Sequence, residues 1–471
     1  MIESKWTSLV EKKDPIVCYF SLHGINYKNG FVTSCPQQPE QFVRMTQTIK
    51  PSEIFNHENF RKHRIEMMNG EWSKGCHLCK EPEAIGSSSM RQDYKADVSL
   101  YRHEPEQAHG IWSFPGESYP RGLKHIELRF SNSCNMACRH CSTVYSSGWV
   151  SKLKHYVPDE EVKFHDLKQL LRTEHRESDD DKGELEITLS QVKEIVDDLC
   201  EYAIGLEKVE FAGGEVLNQK QFFYFLKLLA NHPNAEHLII GFHTNFNANF
   251  DPKELHELLS PFAQAIIHIS VDAGKNIYPY FRTGDWEKLK NNIEKFREYN
   301  NTANLVAVIT TSAYQILDLQ NIFMSLLDLD FYSIDASMVY SPIYLNPSLL
   351  TFKFRDEIIN DIEETKNLIA REDHRRKRAK EYERKSWYNG AFYLDINRAK
   401  RALSEIETYV LKNDLESYSR NLGYNGLTNE VIYNRFLAYV RKTDEIWNQN
   451  FNDYMVNYKL VNGQLERVKN V

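Results

Sequence analysis

Apolar residues gather into six short runs along the middle of the chain, at 126–130, 208–212, 237–242, 265–271, 305–310 and 333–340. Runs of this length, bounded by polar or glycine positions, predict strands. The stretches between them carry apolar residues at three- and four-residue spacing, the signature of amphipathic helices. Residues 191–202 place Val192, Ile195, Val196 and Leu199 on one face, and 221–230 carry Phe222, Phe225, Leu226 and Leu229. Residues 285–299 carry Trp286, Leu289, Ile293 and Phe296, and 316–327 carry Leu319, Ile322, Phe323 and Leu326. Strand–helix alternation predicts an α/β fold with a parallel sheet. Six such units predict a partial (β/α)6 barrel, with functional residues at the C-terminal ends of its strands.

Three stretches depart from that rhythm. Residues 157–187 interrupt the first unit with Asp159-Glu160-Glu161 and Asp179-Asp180-Asp181, and read as an exposed insertion. Residues 371–385 form a basic run centred on Arg375-Arg376-Lys377-Arg378. It reads as a solvated helix face, with a patch for nucleic acid or an acidic partner as the alternative. Residues 428–447 predict a capped helix, with Thr428 as N-cap and Ile432, Phe436 and Val440 on one stripe. The expected division is an N-terminal domain over 1–122, the partial barrel over 123–345 and a C-terminal helical region over 346–471.

Composition narrows the class. A chain of 471 residues is long enough for two or three domains. A net charge of −8 leaves no general electrostatic footprint for nucleic acid. No apolar run is long enough to cross a bilayer, and Met1-Ile2-Glu3-Ser4-Lys5-Trp6 lacks the apolar stretch of a secretory signal. The expected compartment is therefore the cytoplasm, where thiols stay reduced. Eight cysteines there point to metal or catalysis rather than to disulfides.

Three of them, Cys134, Cys138 and Cys141, form C-x-x-x-C-x-x-C on the loop after the first strand. Thiolates suit iron–sulfur clusters or zinc. Three can hold three irons of a four-iron cube and leave the fourth open to a chelating cofactor. A zinc site needs a fourth ligand close by, and His140 is the candidate. The second strand ends in Gly213-Gly214-Glu215, where two glycines allow close backbone approach and a carboxylate can meet an ammonium. The third runs into Thr244-Asn245 and the fourth into Ser270-Val271-Asp272, with Arg282 ten residues on.

This constellation resembles the radical S-adenosylmethionine superfamily. The resemblance implies an oxidoreductase-like enzyme with a [4Fe-4S] cluster held by Cys134, Cys138 and Cys141. Electrons would reach it from an external one-electron donor. It further implies reductive cleavage of S-adenosylmethionine to a 5′-deoxyadenosyl radical that takes hydrogen from a substrate. In these terms Glu215 with Gly213 and Gly214 accepts the methionine amino group, and Arg282 pairs the carboxylate. Ser270 touches ribose or carboxylate, and His140, Thr244, Asn245 and Asp272 lie at the cofactor. Tyr340, after the sixth strand, flanks adenine or substrate. Ala273-Gly274 departs from the glycine–proline of many relatives.

Cys18, Cys35, Cys76 and Cys79, with Gly30 five residues before Cys35, resemble the ligands of Twitch and SPASM auxiliary-cluster domains, here N-terminal to the barrel. The Asn69-Gly70-Glu71 lead-in and Ser87-Ser88-Ser89-Met90-Arg91 share that resemblance. It implies a second, fully ligated [4Fe-4S] cluster for electron transfer or support; a four-cysteine zinc site is the alternative. Cys200 reads as a small buried hydrophobe, and Trp149 as core packing or part of a subgroup pattern. Three functions follow: a radical enzyme acting on a peptide or protein side chain; a radical dehydrogenase or rearrangement enzyme acting on a sugar, alcohol or nucleotide; and a zinc-stabilised binding protein without catalysis.

Overall fold

The computed structural model describes residues 16, 18–28, 30–38, 42–84, 89–92, 122–154, 186–300, 303–340, 342–378, 396–421 and 427–468. Most of the acidic insertion expected over 157–187, the last part of the basic run at 379–385, and Ser87-Ser88 lie outside them. The chain divides into two compact units. The first is Met1–Ser131, Glu177–Phe242 and Glu257–Ala265; the second is Asn132–Arg176, His243–His256 and Ile266–Val471.

The first unit is built on strands β1 (Gly24–Lys28), β2 (Phe31–Thr33), β3 (Val43–Arg44), β4 (His125–Leu128), β5 (Lys208–Phe211) and β6 (Ile239–Thr244), in the order β3-β2-β1-β4-β5-β6, with His243 and Thr244 of β6 counted in the second unit. The β1, β2 and β3 segment is antiparallel, and β1, β4, β5 and β6 are parallel. The register aligns Leu128 with Phe211 and Phe211 with Phe242. The loops that follow these strands therefore leave at one edge. The pattern of apolar runs identified β4, β5 and β6 but not β1. Its sequence Gly-Ile-Asn-Tyr-Lys alternates weakly, yet its first four residues are buried because β2 and β4 flank it.

The expected helices are present. Leu189–Tyr202 opens with a capping box, Thr188 and Gln191 bonding reciprocally, and buries Val192, Ile195, Val196 and Leu199. Lys220–Leu229 buries Phe222, Phe225, Leu226 and Leu229. Phe211 sits 5.6 Å from Phe130 and 5.1 Å from both Phe222 and Phe225. Each such side chain contributes about 1.5–3 kcal/mol through burial, so the end of β5 is firmly held just before Gly213.

In the second unit β8 (Ala303–Thr311) and β9 (Ser333–Met338) pair in parallel from Val306↔Ser333 to Thr311↔Met338. β7 (Gln264–Ser270) runs on into Val271, whose N–H donates to the Val308 carbonyl at 3.0 Å. Trp286–Tyr299 is capped by Asp285, which accepts from the N–H groups of Glu287 (2.8 Å) and Lys288 (3.2 Å). The helix expected over 316–327 is two helices, Ala313–Ile316 and Leu319–Leu329, broken where Asp318 leaves helical geometry (φ −139°).

The C-terminal region holds the long helices Thr351–Arg378, Ile396–Lys412 and Asn429–Trp447, the last capped by Thr428 as expected. It also holds a hairpin, β10 (Tyr458–Val461) and β11 (Gln464–Arg467), that the helical reading did not include. Asn462 and Gly463, both at positive φ, make its two-residue turn. Within the basic run, Arg376 is buried. Its guanidinium donates to the Leu327 carbonyl (2.8 Å) and pairs with Asp330 (2.5 Å) and Glu372 (2.7 Å). It thus satisfies the end of Leu319–Leu329. Among the described residues no helix is long and apolar enough to cross a membrane.

Candidate active site

The loop carrying Cys134, Cys138 and Cys141 is pinned through its main chain, mostly by residues outside the motif. The Cys134 N–H donates to Ser147 Oγ (3.0 Å), and Ser147 Oγ donates to the Cys134 carbonyl (3.2 Å). The Ala137 N–H donates to Thr283 Oγ1 (2.8 Å), and Trp149 Nε1 donates to the Cys138 carbonyl (2.8 Å). Ser146 Oγ donates to the Met136 carbonyl at 2.5 Å. Gly148 is required beneath the loop, since a Cβ there would lie 2.5 Å from the Met136 carbonyl oxygen. Trp149, 1% exposed, is therefore both core and loop support.

Burial pushes the Cys138 thiol well up and the Cys141 thiol to about 12, and the neighbouring cysteines add to both shifts. The Arg282 guanidinium opposes both. Sulfurs this desolvated ionise only with a positive partner.

Three sequence candidates meet this loop. Asn245 Nδ2 donates to Asn135 Oδ1 (2.8 Å) and stands 4.0 Å from Cys134 Sγ. The Arg282 carbonyl lies 3.4 Å from Cys138 Sγ, while its Nη1 meets Asp272 Oδ2 at 2.7 Å. Asp272 is fully buried at φ +53°, accepts from the Thr310 N–H (2.5 Å), and offers its carbonyl to Gln315 Nε2 (2.7 Å). His140 Nε2 is 3.6 Å from the same carboxylate, and its ring stacks on Phe281 at 5.0 Å. Burial lowers the His140 imidazole to about 4, against the pull of Asp272. Among the described residues Arg282 Nε and His140 Nδ1 are buried without a hydrogen-bond partner.

The remaining candidates are distributed more widely. Thr244 Oγ1 accepts from the Phe246 N–H (3.0 Å) at the end of β6. Ser270 is half-buried at the end of β7. Tyr340 packs edge-on against Tyr409 at 5.5 Å, facing the C-terminal helices. Gly213, Gly214 and Glu215 belong to the first unit. Both glycines have positive φ, 79° and 55°, and a Cβ at Gly213 would meet the Arg129 side chain at 3.0 Å. Glu215 is fully buried and its Oε1 accepts from the Leu217 N–H at 3.1 Å.

Also in the first unit, burial raises the thiols of Cys18, Cys35 and Cys79; Cys18 and Cys79 add to the Cys35 shift, and Cys18 adds to that of Cys79. Cys76 starts the helical turn that continues as His77–Ala84, its carbonyl accepting from the Cys79 and Lys80 N–H groups. Cys200 is half-buried.

The donor set at 134–141 suits a cluster with bound S-adenosylmethionine. The desolvated thiols of Cys138 and Cys141 need positive charge to ionise, and the orphaned buried Nε–H of Arg282 wants an acceptor. Among the described residues no three His, Cys, Asp or Glu side chains form a group that would hold a single metal ion. The sequence motifs do not point to Thr283 or Gln315. They touch the site through the main chain, where residue type leaves little trace.

Residues 128–314, less than half of the chain, match the family model of the Radical SAM superfamily. These residues resemble a radical SAM domain. A search of curated proteins finds no match. Among solved structures, native anSMEcpe with bound AdoMet matches at 17% identity with a TM-score of 0.32, over 45% of this chain and 50% of that one. The same protein with AdoMet and Cp18Cys peptide matches at 17% identity with a TM-score of 0.30, over 50% and 61%. Streptococcus suis SuiB bound to precursor peptide SuiA matches at 13% identity with a TM-score of 0.30, over 69% and 64%. This chain spans about half the length of the first of these.

Proposed function

Starting from the resemblance of residues 128–314 to a radical SAM domain, we propose that the chain uses S-adenosylmethionine to abstract hydrogen from a peptide or protein side chain. The observation that carries the reading is the meeting of the three-cysteine loop, Cys138 buried and Cys134 and Cys141 half-buried, with Asn245 and the Asp272–Arg282 pair in one unit. Cys134, Cys138 and Cys141 would hold a [4Fe-4S] cluster. When bound, that cluster and S-adenosylmethionine supply reductive cleavage to a 5′-deoxyadenosyl radical.

The chain's own residues do the rest. Arg282 keeps Nη1 on Asp272 and has Nε to offer the cofactor's carboxylate. Its orientation is preset by Asp272, which Thr310 and Gln315 fix in turn. Asn245 holds Asn135 against the loop. The Cys18, Cys35, Cys76 and Cys79 group would hold a second, auxiliary cluster, and an external donor would supply the electron.

A peptide is favoured over an enclosed small molecule by the strands of the second unit. Asp335 and Ser337 on β9 and His243 on β6 are exposed, which suits an extended substrate more than a closed cavity. The test is anaerobic turnover with reductant and S-adenosylmethionine. Peptides should raise 5′-deoxyadenosine above the substrate-free level while sugars, alcohols and nucleotides do not. Stimulation by a small molecule alone would replace the peptide reading with that of a radical dehydrogenase or rearrangement enzyme.

A further inference from the structure

Arg139 lies between Cys138 and Cys141 and is fully buried. Burying a guanidinium costs several kcal/mol unless it is paired and fully hydrogen-bonded. Its side-chain bonds lead to Tyr280 and to the far end of the chain. Nε donates to the Tyr280 carbonyl (2.9 Å), Nη1 to Thr443 Oγ1, and Nη2 to Gln449 Oε1 (2.9 Å). Nη2 also stands 3.0 Å from Asp444 Oδ1. The guanidinium lies 3.7 Å above the Tyr280 ring.

The main chain around Arg139 is held from the same side. Tyr439 Oη donates to the Arg139 carbonyl. Trp149, which holds the Cys138 carbonyl, packs edge-on against Trp447 at 4.4 Å. Tyr439, Thr443, Asp444 and Trp447 share one face of Asn429–Trp447, at the spacing of successive helical turns. Asp444 is itself fixed. Its Oδ1 accepts from Tyr280 Oη (2.9 Å) and its Oδ2 from the Phe451 N–H (2.7 Å).

We propose that the helix Asn429–Trp447, outside the matched domain, is part of the cluster-holding machinery, and that Asp444 is a positioning residue acting through Arg139 on the spacing of Cys138 and Cys141. The proposal rests on reading 134–141 as the cluster loop. With Arg139 anchored, the loop is ordered before metal arrives, so less conformational entropy is lost on assembly. The carboxylate also balances a cation set between two ligand cysteines. Without it, the uncompensated charge favours the more negative, reduced form of the cluster.

The test compares Asp444→Asn and Asp444→Glu with the unaltered protein. Amide hydrogen exchange over 134–142 is measured on the metal-free protein, and the cluster midpoint potential on the reconstituted one. Asp444→Asn should speed exchange across the loop by about tenfold or more, which is ~1.4 kcal/mol of lost protection. It should also move the potential positive, with Asp444→Glu restoring both toward the original values. A folded Asp444→Asn with unchanged loop exchange and unchanged potential overturns the proposal. If Asp444→Asn does not fold, Gln449→Ala, which removes a single neutral bond to Arg139, carries the exchange comparison: faster exchange over 134–142 supports the anchoring role and unchanged exchange overturns it. An unaltered protein that takes up no iron would sink the cluster reading instead, and exchange in the metal-free chain would still decide whether Asp444 orders the loop.

Discussion

Asp272 and Arg282 form a buried ion pair at 2.7 Å, and the carbonyl of that same arginine lies 3.4 Å from the Cys138 sulfur. Arg282 therefore links the end of the β7 strand, through its side chain, to the cysteine loop, through its main chain. Asp272→Asn leaves the guanidinium buried beside a neutral partner. Removing one member of a buried pair costs about 3–5 kcal/mol, so urea unfolding should show a loss of that order. Asp272→Val should lose about 1–2 kcal/mol more, because a β-branched residue is strained at φ +53°.

Gly148 sets how closely its helix approaches the loop. A methyl group there would stand 2.5 Å from the Met136 carbonyl oxygen and must displace it. Gly148→Ala should keep the overall fold by circular dichroism but release iron to a chelator about tenfold faster, as overpacking of 1–3 kcal/mol implies. An unchanged release rate would show that Met136 does not transmit to the ligands.

Cys35 tests the second metal site apart from the first. Anaerobically purified protein should carry about eight irons, four for each cube. Cys35→Ala should bring that to about four while 5′-deoxyadenosine formation persists. Zinc in place of the missing irons would assign the N-terminal cysteines to a structural zinc site.

Asp318 predicts a pH dependence. Burial pushes its carboxyl up to about 7, with the hydrogen bond from Asn321 opposing, and among the described residues its Oδ2 has no partner. Below about pH 4 the group is protonated in both folded and unfolded chains. Between about pH 4 and 7 the unfolded chain releases this proton while the folded one keeps it. Stability therefore falls as pH rises through that window and levels off above it. The cost approaches about 4 kcal/mol. Asp318→Asn should gain stability over the unaltered protein at pH 8 and little at pH 4, measured by urea midpoints.

Legibility in the sequence followed the range of the forces involved. Helices such as Leu189–Tyr202, and β4 to β9, show because burial of one face leaves a local period. The cysteine loop shows because ligand type and spacing are local too. β1 does not, since its burial comes from pairing with β4 a hundred residues on. Arg139 looked like any basic residue, as its partners Thr443 and Asp444 lie some three hundred residues away. The Asn462-Gly463 turn was readable from the dipeptide alone.

In the proposed function Cys134, Cys138 and Cys141 act together on one cofactor. The most direct measurement is 5′-deoxyadenosine released anaerobically from S-adenosylmethionine and reductant, by the unaltered protein and by Cys138→Ala. Release is expected from the first and none from the second, with about four fewer irons in the variant. Release at the original rate from Cys138→Ala would contradict a shared role for the three cysteines.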